Sequence, residues 1–427
     1  MKTPSDVTIV GLGYVGLPLA LAFADEFPTT GFDNDSLRIE QLQEGHDRNL
    51  EVDSSRITSS DVSFSSDESS VTDADFIVVT VPTPVTEENQ PDLSLLESAS
   101  AMIGRCLRSR DAGSSAPIIV FESTTFPGCT EEFCGPIIER ESGLSSGEGF
   151  ILGYSPERTN FEDVEHTLET VVKVVSGQAR EAADVVSNVY SRIARAGVHM
   201  APNIKTAEAS KVIENVQRDL NIALFNESAI IFDRMGIDSS DVFDAAGTKW
   251  NFHRYQPGLV GGHCIPVDPY YLTYAAKKIG YDANVILAGR SVNEGMVDRV
   301  VEKIQDLVGI RGRSPQDASV LILGQTFKSD VADFRNSKAI RLSNTLAKSF
   351  RSTTTYDPFG EESESNRDPL DSVSKFDVVV VAVGHSQFLQ SIGAISDLVV
   401  PGGALVDLTG GVNSADVIDS DLIFWNL

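Results

Sequence analysis

The stretch VTIVGLGYVG, residues 7–16, decides the fold of the first part of this chain. Val7–Val10 is a short apolar run typical of a buried parallel strand, and Gly11–Gly16 is a GxGxxG turn that leads into a helix-like segment. A second short strand is expected over 29–33, ending at Asp33, 22 residues after the first glycine. Strand, glycine turn, helix and acid in this order predict a dinucleotide-binding βαβ unit.

Each position of this turn has a separate physical task. Gly11 permits the tight turn, Gly13 lets the backbone approach a pyrophosphate, and Gly16 allows the helix to pack closely on the strand. The N-terminus of the helix offers unpaired N–H groups and positive potential to the phosphates. Asp33 is expected to accept hydrogen bonds from the ribose hydroxyls. Because a carboxylate there disfavours a 2′-phosphate, NAD is the predicted cofactor.

Similar apolar runs recur along the chain and predict further strands. They lie at 76–81, 118–121, 151–154, 171–175, 319–324, 353–357, 377–383 and 404–408. Residues 203–235 contain no Pro or Gly and carry apolar residues at helical spacing, which predicts one long helix; a second helical stretch is expected over 269–307. The predicted fold class is α/β, with two Rossmann-like doubly wound domains joined by a long central helix.

This organisation divides the chain into three segments. Residues 1–202 form the predicted NAD-binding Rossmann domain, 203–309 a central helical domain with a cysteine loop, and 310–427 a C-terminal α/β domain. The central helix is longer than packing on one domain requires, so a homodimer through this helix is expected. The Ser-, Asp- and Glu-rich stretches 54–69 and 361–368 are interpreted as solvated loops.

The composition narrows the classes of function. The 427 residues include 34 basic and 62 acidic side chains, a formal net charge of −28, so no nucleic acid partner is expected. No apolar run approaches the roughly 20 residues of a membrane helix, and the N-terminal residues lack a signal-peptide pattern. A cytoplasmic protein without membrane attachment is therefore predicted. With 12 Lys against 22 Arg, the composition is typical of salt-adapted, halophilic proteins, and ordinary acidic solubility is the alternative.

A second concentrated signal is PGLVGGHCIPVDP, residues 257–269. Glycines and prolines crowd His263, Cys264 and Asp268 into a stretch that cannot be regular structure, and such loops bring backbone close to a ligand. A nucleophilic thiolate at Cys264 needs nearby positive charge or N–H groups, and Lys211 on the long helix is a candidate to supply the charge. A buried structural cysteine is the alternative, and His263 is expected to be structural. No metal is predicted.

With both signals quoted, the chain resembles the UDP-glucose/GDP-mannose dehydrogenase family of nucleotide-sugar 6-dehydrogenases over nearly its whole length. The blocks that carry the resemblance are IVGLGYVGLPLA, VPTP, FESTTFPGCTEE, GYSPER, AEASKVIENVQRDLNIALFNE, AAGTKWNF, PGLVGGHCIPVDPYYL and GQTFKSDVADFRNS. The resemblance implies an NAD domain, a long dimerising helix and a UDP-sugar-binding domain. It also implies a four-electron oxidation of a sugar C6 alcohol to a carboxylate, with two NAD⁺.

The resemblance assigns the catalytic roles as follows. Lys211, or a water oriented by Asp268, is the base for the first oxidation. Cys264 adds to the aldehyde to give a thiohemiacetal and then a thioester. Lys211 and Asn215 lie four residues apart on one helix face, where together they stabilise the oxyanion. Water then hydrolyses the thioester, and the resemblance gives its positioning to Glu157 and Thr124.

Binding roles follow from the same motifs. The residues implied around NAD, beside the three glycines and Asp33, are Tyr14, Val15, Arg38, Thr83, Thr124 and Arg335. The residues implied around the UDP-sugar are Glu157, Arg158, Lys211, Asn215, Arg218, Gly261 and Lys328. The arginine that UDP-glucose enzymes place before the cysteine loop has no clean match, and Lys249 or Arg254 is the candidate substitute.

The substrate is less determined than the reaction. UDP-glucose enzymes typically have GGSCFPKD at the cysteine loop, whereas this chain has GGHCIPVDP, and its other blocks resemble the Vi-antigen-type branch that acts on UDP-N-acetylglucosamine or its galactose epimer. UDP-glucose and UDP-N-acetylmannosamine stay open as alternatives. A nucleotide-sugar epimerase has no need of Cys264, and its Tyr-x-x-x-Lys pair is not expected here. A silent UDP-sugar-binding regulator has no reason to keep Lys211, Asn215, Cys264 and Asp268 together.

Overall fold

The computed structural model describes residues 4–111, 113–159, 165–361, 366–371, 374–413, 416–417 and 421–427. The chain divides into two compact units. The first comprises Met1–Glu214 and Tyr270–Asp282, and the second Asn215–Pro269 and Ala283–Leu427. The predicted boundaries at 202 and 309 concern sequence segments and stay a prediction. Throughout the described ranges, no helix combines the length and the apolar character needed to cross a lipid bilayer.

The first unit is built on the sheet that the opening stretch predicts. Its strands are β1 (Val7–Val10), β2 (Thr29–Phe32), β3 (Ser63–Ser65), β4 (Phe76–Val79), β5 (Ile118–Phe121), β6 (Ile151–Tyr154), β7 (Lys173–Gly177) and β8 (Val198–Met200). Its helices are α1 (Gly16–Ala24), α2 (Ser36–Gln43), α3 (Ser54–Thr58), α4 (Ser94–Arg108), α5 (Gly135–Ser142) and α6 (Arg180–Tyr190). The strand order is β3-β2-β1-β4-β5-β6-β7-β8, whose first six positions are the Rossmann order 3-2-1-4-5-6.

Strand β8 was not predicted, and two further features of this unit differ from expectation. Strand β7 begins at Lys173, not at 171. It pairs antiparallel with β6, an arrangement that does not require a crossover helix between the two strands. The stretch 54–69, interpreted as a solvated loop, instead contains helix α3, strand β3 and a short 3₁₀ turn over Glu68–Val71. Strand β3 extends the parallel sheet beyond β2, and backbone pairing there outweighs the polar composition.

The long central helix is confirmed as α7 (Ile204–Met235), which begins in the first unit and continues into the second. It is followed by α8 (Ser239–Gly247), α9 (Asp268–Lys278) and α10 (Asn284–Ile310). The single helical stretch expected over 269–307 was wrong, because the chain breaks between α9 and α10. Gly280 takes a φ of +78°, and the N–H of Tyr281 donates to the carbonyl of Ala276 at 2.9 Å, a helix-terminating turn that favours glycine.

The second unit carries the second doubly wound sheet. Its strands are β9 (Ser319–Leu323), β10 (Ser352–Tyr356), β11 (Phe376–Val381), β12 (Val399–Asp407) and β13 (Ile423–Asn426), and its further helices are α11 (Lys338–Leu346), α12 (Ser386–Leu389) and α13 (Ile392–Ser396). The order β10-β9-β11-β12-β13 is parallel throughout, so the chain order reverses between β9 and β11. In such sheets ligands bind outside the carboxyl ends of the strands at this reversal.

Candidate active site

The glycine turn of the first unit has the geometry of a phosphate-binding turn. Gly11 adopts a φ of +95°, and its N–H donates to the carbonyl of Phe32 on β2 at 2.8 Å. A Cβ on Gly16 would lie 1.8 Å from the carbonyl oxygen of Gly11, so only glycine lets α1 start this close to β1. A Cβ on Gly13 would meet no protein atom within 4 Å, so this position faces open space.

Asp33 and Arg38 hold the turn from the protein side. The Oδ2 atom of Asp33 accepts the N–H of Leu12 at 2.8 Å, while the side chain stays partly exposed at the end of β2. Arg38 is buried, pairs with Asp47 at 2.7 Å and donates from Nε to the carbonyl of Leu12 at 3.0 Å. The open space at Gly13, the N-terminus of α1 that follows it and the partly exposed carboxylate fit a dinucleotide. Tyr14 and Val15 lie in the turn and Thr83 follows β4, all partly exposed.

Glu157 belongs to a buried charge cluster in the first unit. The ammonium of Lys173 on β7 lies 2.6 Å from Glu122 and 3.2 Å from Glu157, and the hydroxyl of Tyr190 donates to Glu122. Burial tends to raise the pKa of Glu157, but the charge of Lys173 and the N–H of Thr159 lower this pKa to about 2. Burial raises the pKa of Glu122 despite the same lysine. Glu157 is therefore a carboxylate at neutral pH, held at the rim of the cluster.

The loop that carries Thr124 is fixed by Glu208 on α7. The fully buried carboxylate of Glu208 accepts hydrogen bonds from the hydroxyls of Thr125 and Thr130 at 3.1 and 2.7 Å, and from the N–H groups of Gly128 and Thr130. Burial raises the pKa of Glu208 to about 7 even against these donors. Thr124 itself is partly exposed beside this anchor.

Lys211 and Arg158 also lie in the first unit. Lys211 is 9% exposed on α7, one turn before the helix enters the second unit, and its charge contributes to lowering the pKa of Glu157. Arg158 pairs with Glu214 at 2.8 Å and donates to the carbonyl of Val172 at 2.8 Å. Both cations therefore face carboxylates of their own unit.

In the second unit, Arg218, Asn215 and Asp268 form a chain of hydrogen bonds. The guanidinium of Arg218 donates to Oδ1 of Asn215, and the amide of Asn215 donates to the carboxylate of Asp268. Asn215 and Asp268 are buried. Asp268 opens α9, and its backbone N–H donates to the carbonyl of Cys264 at 2.8 Å, so the chain ends at the cysteine loop. Cys264 is partly exposed and forms no disulfide.

The cysteine loop packs against the segment that contains Lys328 and Arg335. A Cβ on Gly261 would lie 2.9 Å from the carbonyl oxygen of Asn336, and Gly262 has a φ of +88° beneath the ring of Phe327. Lys328 is partly exposed within this segment. Arg335 forms a two-pronged ion pair with Asp333, at 2.9 and 2.6 Å.

His263 lies at the same contact. Its Nδ1 atom is 3.9 Å from Asp333 and its ring packs edge-on against Phe327. Burial, and then the charge of Arg335, lower the pKa of His263. The structural interpretation of this histidine is consistent with these contacts.

Three segments match domains described for one enzyme family. Residues 5–194 match the NAD binding domain of the UDP-glucose/GDP-mannose dehydrogenase family, 205–295 its central domain, and 321–413 its UDP binding domain. The chain belongs to this family. It is accordingly an NAD-dependent nucleotide-sugar 6-dehydrogenase.

Individual relatives cover almost the whole dehydrogenase. Protein CapL of Staphylococcus aureus is 42% identical over 428 residues, which is 99% of each chain. The UDP-N-acetyl-D-glucosamine 6-dehydrogenase of Pseudomonas aeruginosa is 46% identical over 389 residues, 90% of this chain and 91% of that one. Among solved structures, the UDP-D-ManNAc dehydrogenase of Pyrococcus horikoshii superimposes with a TM-score of 0.88 at 26% identity, covering 99% and 98% of the two chains.

A buried polar network of the dehydrogenase was missed by sequence analysis. Arg290 on α10 pairs with Asp219 on α7 at 2.6 Å, and Asn293 donates to the same carboxylate at 2.7 Å. Asn226 donates to Asn293 at 2.8 Å and also pairs with both backbone groups of Gly258, at 2.8 and 3.1 Å. The network thus ties two helices of the second unit to the start of the cysteine loop.

The signals for the missed residues are present in the sequence. Lys173 interrupts the apolar run VVKVV and Glu122 ends the run IIVFE, and a charge at a buried strand position requires a partner. Which charges pair is decided by strands that are far apart in the chain.

The expected absence of a Tyr-x-x-x-Lys pair was wrong, since Tyr274 and Lys278 have that spacing. The ammonium of Lys278 lies 4.7 Å from the ring centre of Phe126 and 5.1 Å from that of Tyr274.

Proposed function

We propose that the dehydrogenase oxidises the C6 hydroxyl of UDP-N-acetylglucosamine to the uronic acid in two successive steps that share Cys264. The observation that carries this proposal is the hydrogen-bond chain from Arg218 through Asn215 to Asp268, which ends at the backbone of Cys264. It links a cation, an amide donor and a carboxylate to the backbone of Cys264 within one unit. The overall conversion takes up one water and releases two hydrides and three protons.

The first step turns the alcohol into an aldehyde. Lys211, or a water oriented by Asp268, takes the hydroxyl proton while the hydride leaves C6. The Asp268 carboxylate is suited to orienting water, because the amide of Asn215 fixes one of its oxygens. NAD⁺, when bound at the glycine turn, supplies the hydride acceptor for both oxidations. Residues proposed to hold it are Gly11, Gly13, Tyr14, Val15, Gly16, Asp33, Arg38, Thr83, Thr124 and Arg335.

The second step uses the thiol. The Cys264 thiolate adds to the aldehyde carbon, and the alkoxide of this thiohemiacetal then returns its electron pair to the carbon as a second hydride departs, which leaves a thioester. Lys211 and Asn215 are proposed to stabilise the oxyanion. Water adds to the thioester and expels the thiolate. Glu157, which is ionised and held by Lys173, is proposed to position this water with Thr124.

Binding of the UDP-sugar is proposed for residues of the family motifs. The proposed contacts are Glu157, Arg158, Lys211, Asn215, Arg218, Gly261 and Lys328. Identity of 46% to an enzyme named for UDP-N-acetyl-D-glucosamine supports the N-acetylated substrate. The second candidate is UDP-N-acetylmannosamine. It is favoured by the TM-score of 0.88 to a dehydrogenase named for that sugar.

We propose that the uronic acid serves surface polysaccharide or glycoprotein glycan synthesis in the cytoplasm.

We further propose a homodimer through the central helix. Within the second unit, Leu224, Ile231 and Met235 are exposed by 58%, 49% and 63% on α7, and their spacing of seven and four residues puts them on one helix face. Trp250, in the turn after α8, is 92% exposed. A second copy of the chain is the occupant proposed for this apolar stripe.

The proposal predicts the stoichiometry of the reaction. Purified enzyme with NAD⁺ and a panel of UDP-sugars should release two NADH per uronic acid formed, fastest with UDP-N-acetylglucosamine. Replacing Cys264 by Ser should abolish the second oxidation, whereas Cys106→Ser, a buried thiol on α4, should keep the ratio of two. NADH absorbance and mass spectrometry of the sugar measure both quantities. One NADH per sugar, or an unaffected Cys264→Ser variant, contradicts the mechanism; faster turnover of another UDP-sugar overturns only the substrate.

A further inference from the structure

The second sheet of the dehydrogenase repeats the turn geometry of the first. Gly324, directly after β9, has a φ of +93°, and its N–H donates to the carbonyl of Tyr356 on β10 at 2.8 Å. Gly11 makes the same bond to Phe32 with a φ of +95°. Each glycine thus ends the first strand of its own sheet in the same way.

The acid after the second strand is repeated as well. Asp33 follows β2 and accepts the N–H of Leu12; Asp357 follows β10 and accepts the N–H groups of Gln325 and Thr326. The two carboxylates differ in access. Asp33 is partly exposed, whereas Asp357 is 2% exposed. The second carboxylate is therefore closed to a ribose.

His385 covers Asp357. It follows β11, is fully buried, and its Nε2 atom lies 3.2 Å from Oδ2 of Asp357 and 3.1 Å from Oγ1 of Thr326. The hydroxyl of Thr326 donates to the carbonyl of Lys328 at 2.8 Å, so its oxygen is left to accept from the imidazole. His385 thereby joins the loops that follow β9, β10 and β11, where the strand order reverses.

The other ring nitrogen defines the tautomer of His385. The backbone N–H of Asp330 donates to Nδ1 at 2.9 Å. A backbone N–H can only donate, so Nδ1 carries no proton and the ring proton is on Nε2, where Thr326 Oγ1 and Asp357 Oδ2 share it. One neutral imidazole thus accepts from one end of the loop 324–330 and donates to the carboxylate that holds its other end.

Asp330 has a left-handed backbone, which the bond to His385 helps to hold. Its φ of +58° is unfavourable for a residue with a Cβ. Its carboxylate accepts the N–H and the hydroxyl of Ser386, at 2.9 and 2.6 Å. With the bond to Nδ1 of His385, three hydrogen bonds hold Asp330 in this left-handed conformation. Lys328 is two residues away in the same loop.

We propose that His385 is a positioning residue that fixes the loop 324–330 and thereby the ammonium of Lys328 for the UDP-sugar. This inference rests on the proposed role of Lys328. His385 is buried and acts through the loop without touching substrate. Its role follows from the rigid ring, which carries one acceptor, Nδ1, and one donor, Nε2, at the distance that separates Asp330 from Asp357.

Two conservative substitutions separate the two bonds. Asn at position 385 can present its Oδ1 near the place of Nδ1 and keep the bond from Asp330, whereas Gln can place its amide near Nε2 and keep the bond to Asp357. We expect His385→Ala and His385→Gln to raise the KM for the UDP-sugar about tenfold at unchanged KM for NAD⁺. For His385→Asn, the KM for the UDP-sugar should stay within about threefold of the parent enzyme.

Phe388→Leu is the matched control, because Phe388 packs on the imidazole without bonding the loop. It should lower the melting temperature and leave both KM values unchanged.

Calorimetric titration with UDP measures the same effect without turnover. Lys328→Met separates this inference from the proposed function. If Lys328→Met weakens UDP-sugar binding and the His385 variants do not, the positioning role is wrong. If Lys328→Met has no effect either, the proposed binding role of the loop is wrong.

Two further results would overturn the positioning role. The first is an equal loss of UDP-sugar binding in His385→Asn, His385→Gln and Phe388→Leu, in proportion to the stability that each variant loses. The second comes from nitrogen-15 NMR, which should show Nδ1 of His385 unprotonated in the parent enzyme. A protonated Nδ1 contradicts the geometry.

Discussion

At the scale of single residues, Gly13 and Gly16 stand in one turn for opposite reasons. Gly16 is required by the protein, since a Cβ there would lie 1.8 Å from the carbonyl oxygen of Gly11 and 2.5 Å from Oγ1 of Thr80. Gly13 is not, since no protein atom lies within 4 Å of such a Cβ. If the space at Gly13 belongs to the pyrophosphate, the two positions respond differently to alanine.

We expect Gly13→Ala to raise the KM for NAD⁺ by at least about tenfold while changing the free energy of unfolding by less than about 0.5 kcal/mol. Gly16→Ala should instead destabilise the fold by about 1–3 kcal/mol or more, because backbone must move to admit the methyl group. Steady-state kinetics and urea denaturation measure the two effects. An unchanged KM for NAD⁺ in Gly13→Ala would mean that the cofactor does not approach this turn.

Asp33 and Arg38 differ in how much of their role the glycine motif predicts. The turn predicts that Asp33 follows β2, and the structure has Asp33 bound to the N–H of Leu12. It does not predict that Arg38 is buried against Asp47, because this ion pair depends on a loop about ten residues further along. A motif specifies backbone chemistry nearby, whereas the partner of a long side chain depends on packing.

At the scale of elements, α7 combines two kinds of surface. Glu208, Asn215, Asp219 and Asn226 are fully buried on it, while Leu224, Ile231 and Met235 are exposed. This helix of 32 residues also buries apolar side chains such as Val212 and Val216, so its buried positions are mixed while an apolar stripe stays exposed. The buried polar groups are explained by their hydrogen bonds, and the apolar stripe by the proposed dimer.

The stripe gives a test of the dimer. The double substitution Leu224→Glu and Ile231→Glu should raise the dimer dissociation constant by about two orders of magnitude, because two charges per chain would be buried at the interface. Both positions are exposed in the single chain, so its folding should be little affected. Light scattering after size exclusion measures the mass. Ile310→Glu, at the exposed end of α10, is the matched control and should remain dimeric; a parent enzyme that is monomeric at micromolar concentration would rule out the proposal.

At the scale of the whole molecule, the net charge of −28 opposes the binding of negatively charged ligands. Cofactor and UDP-sugar are both anions, and their proposed binding sites are local positive features: helix N-termini, glycine turns and a few cations. Salt at molar concentration reduces the screening length to about 3 Å, which weakens the repulsion between the acidic surface and these anions. The acidic surface therefore opposes the binding of these anions less strongly in a salt-rich cell.

We expect activity and melting temperature to rise together as KCl is increased from about 0.1 M towards the molar range, where the screening length is near 3 Å. The UDP-N-acetyl-D-glucosamine 6-dehydrogenase of Pseudomonas aeruginosa, measured beside it in the same buffers, is the control for salt effects on the substrates. Full activity and stability at low salt, with no further gain, would show that the acidic composition serves ordinary solubility.

Sequence alone determined the elements whose signals are local. The GxGxxG turn, most of the buried apolar strands and the uninterrupted helix over 204–235 follow from short-range periodicity and glycine chemistry. Strand β12 begins at Val399, before the predicted 404, and β8 and β13 were not predicted. The break at Gly280 between α9 and α10 was also encoded locally, but glycine inside a helical pattern is ambiguous until the helix end is seen.

Only the tertiary structure decided which buried polar groups meet. Lys173 with Glu122, Arg290 with Asp219, and His385 with Asp357 and Asp330 join residues 28 to 71 positions apart. Each residue type is ordinary in the sequence, and its partner is selected by which strand ends and helices the fold brings together. Burying a charge is unfavourable without a partner, so these pairings can be recognised once the packing of strands and helices is known.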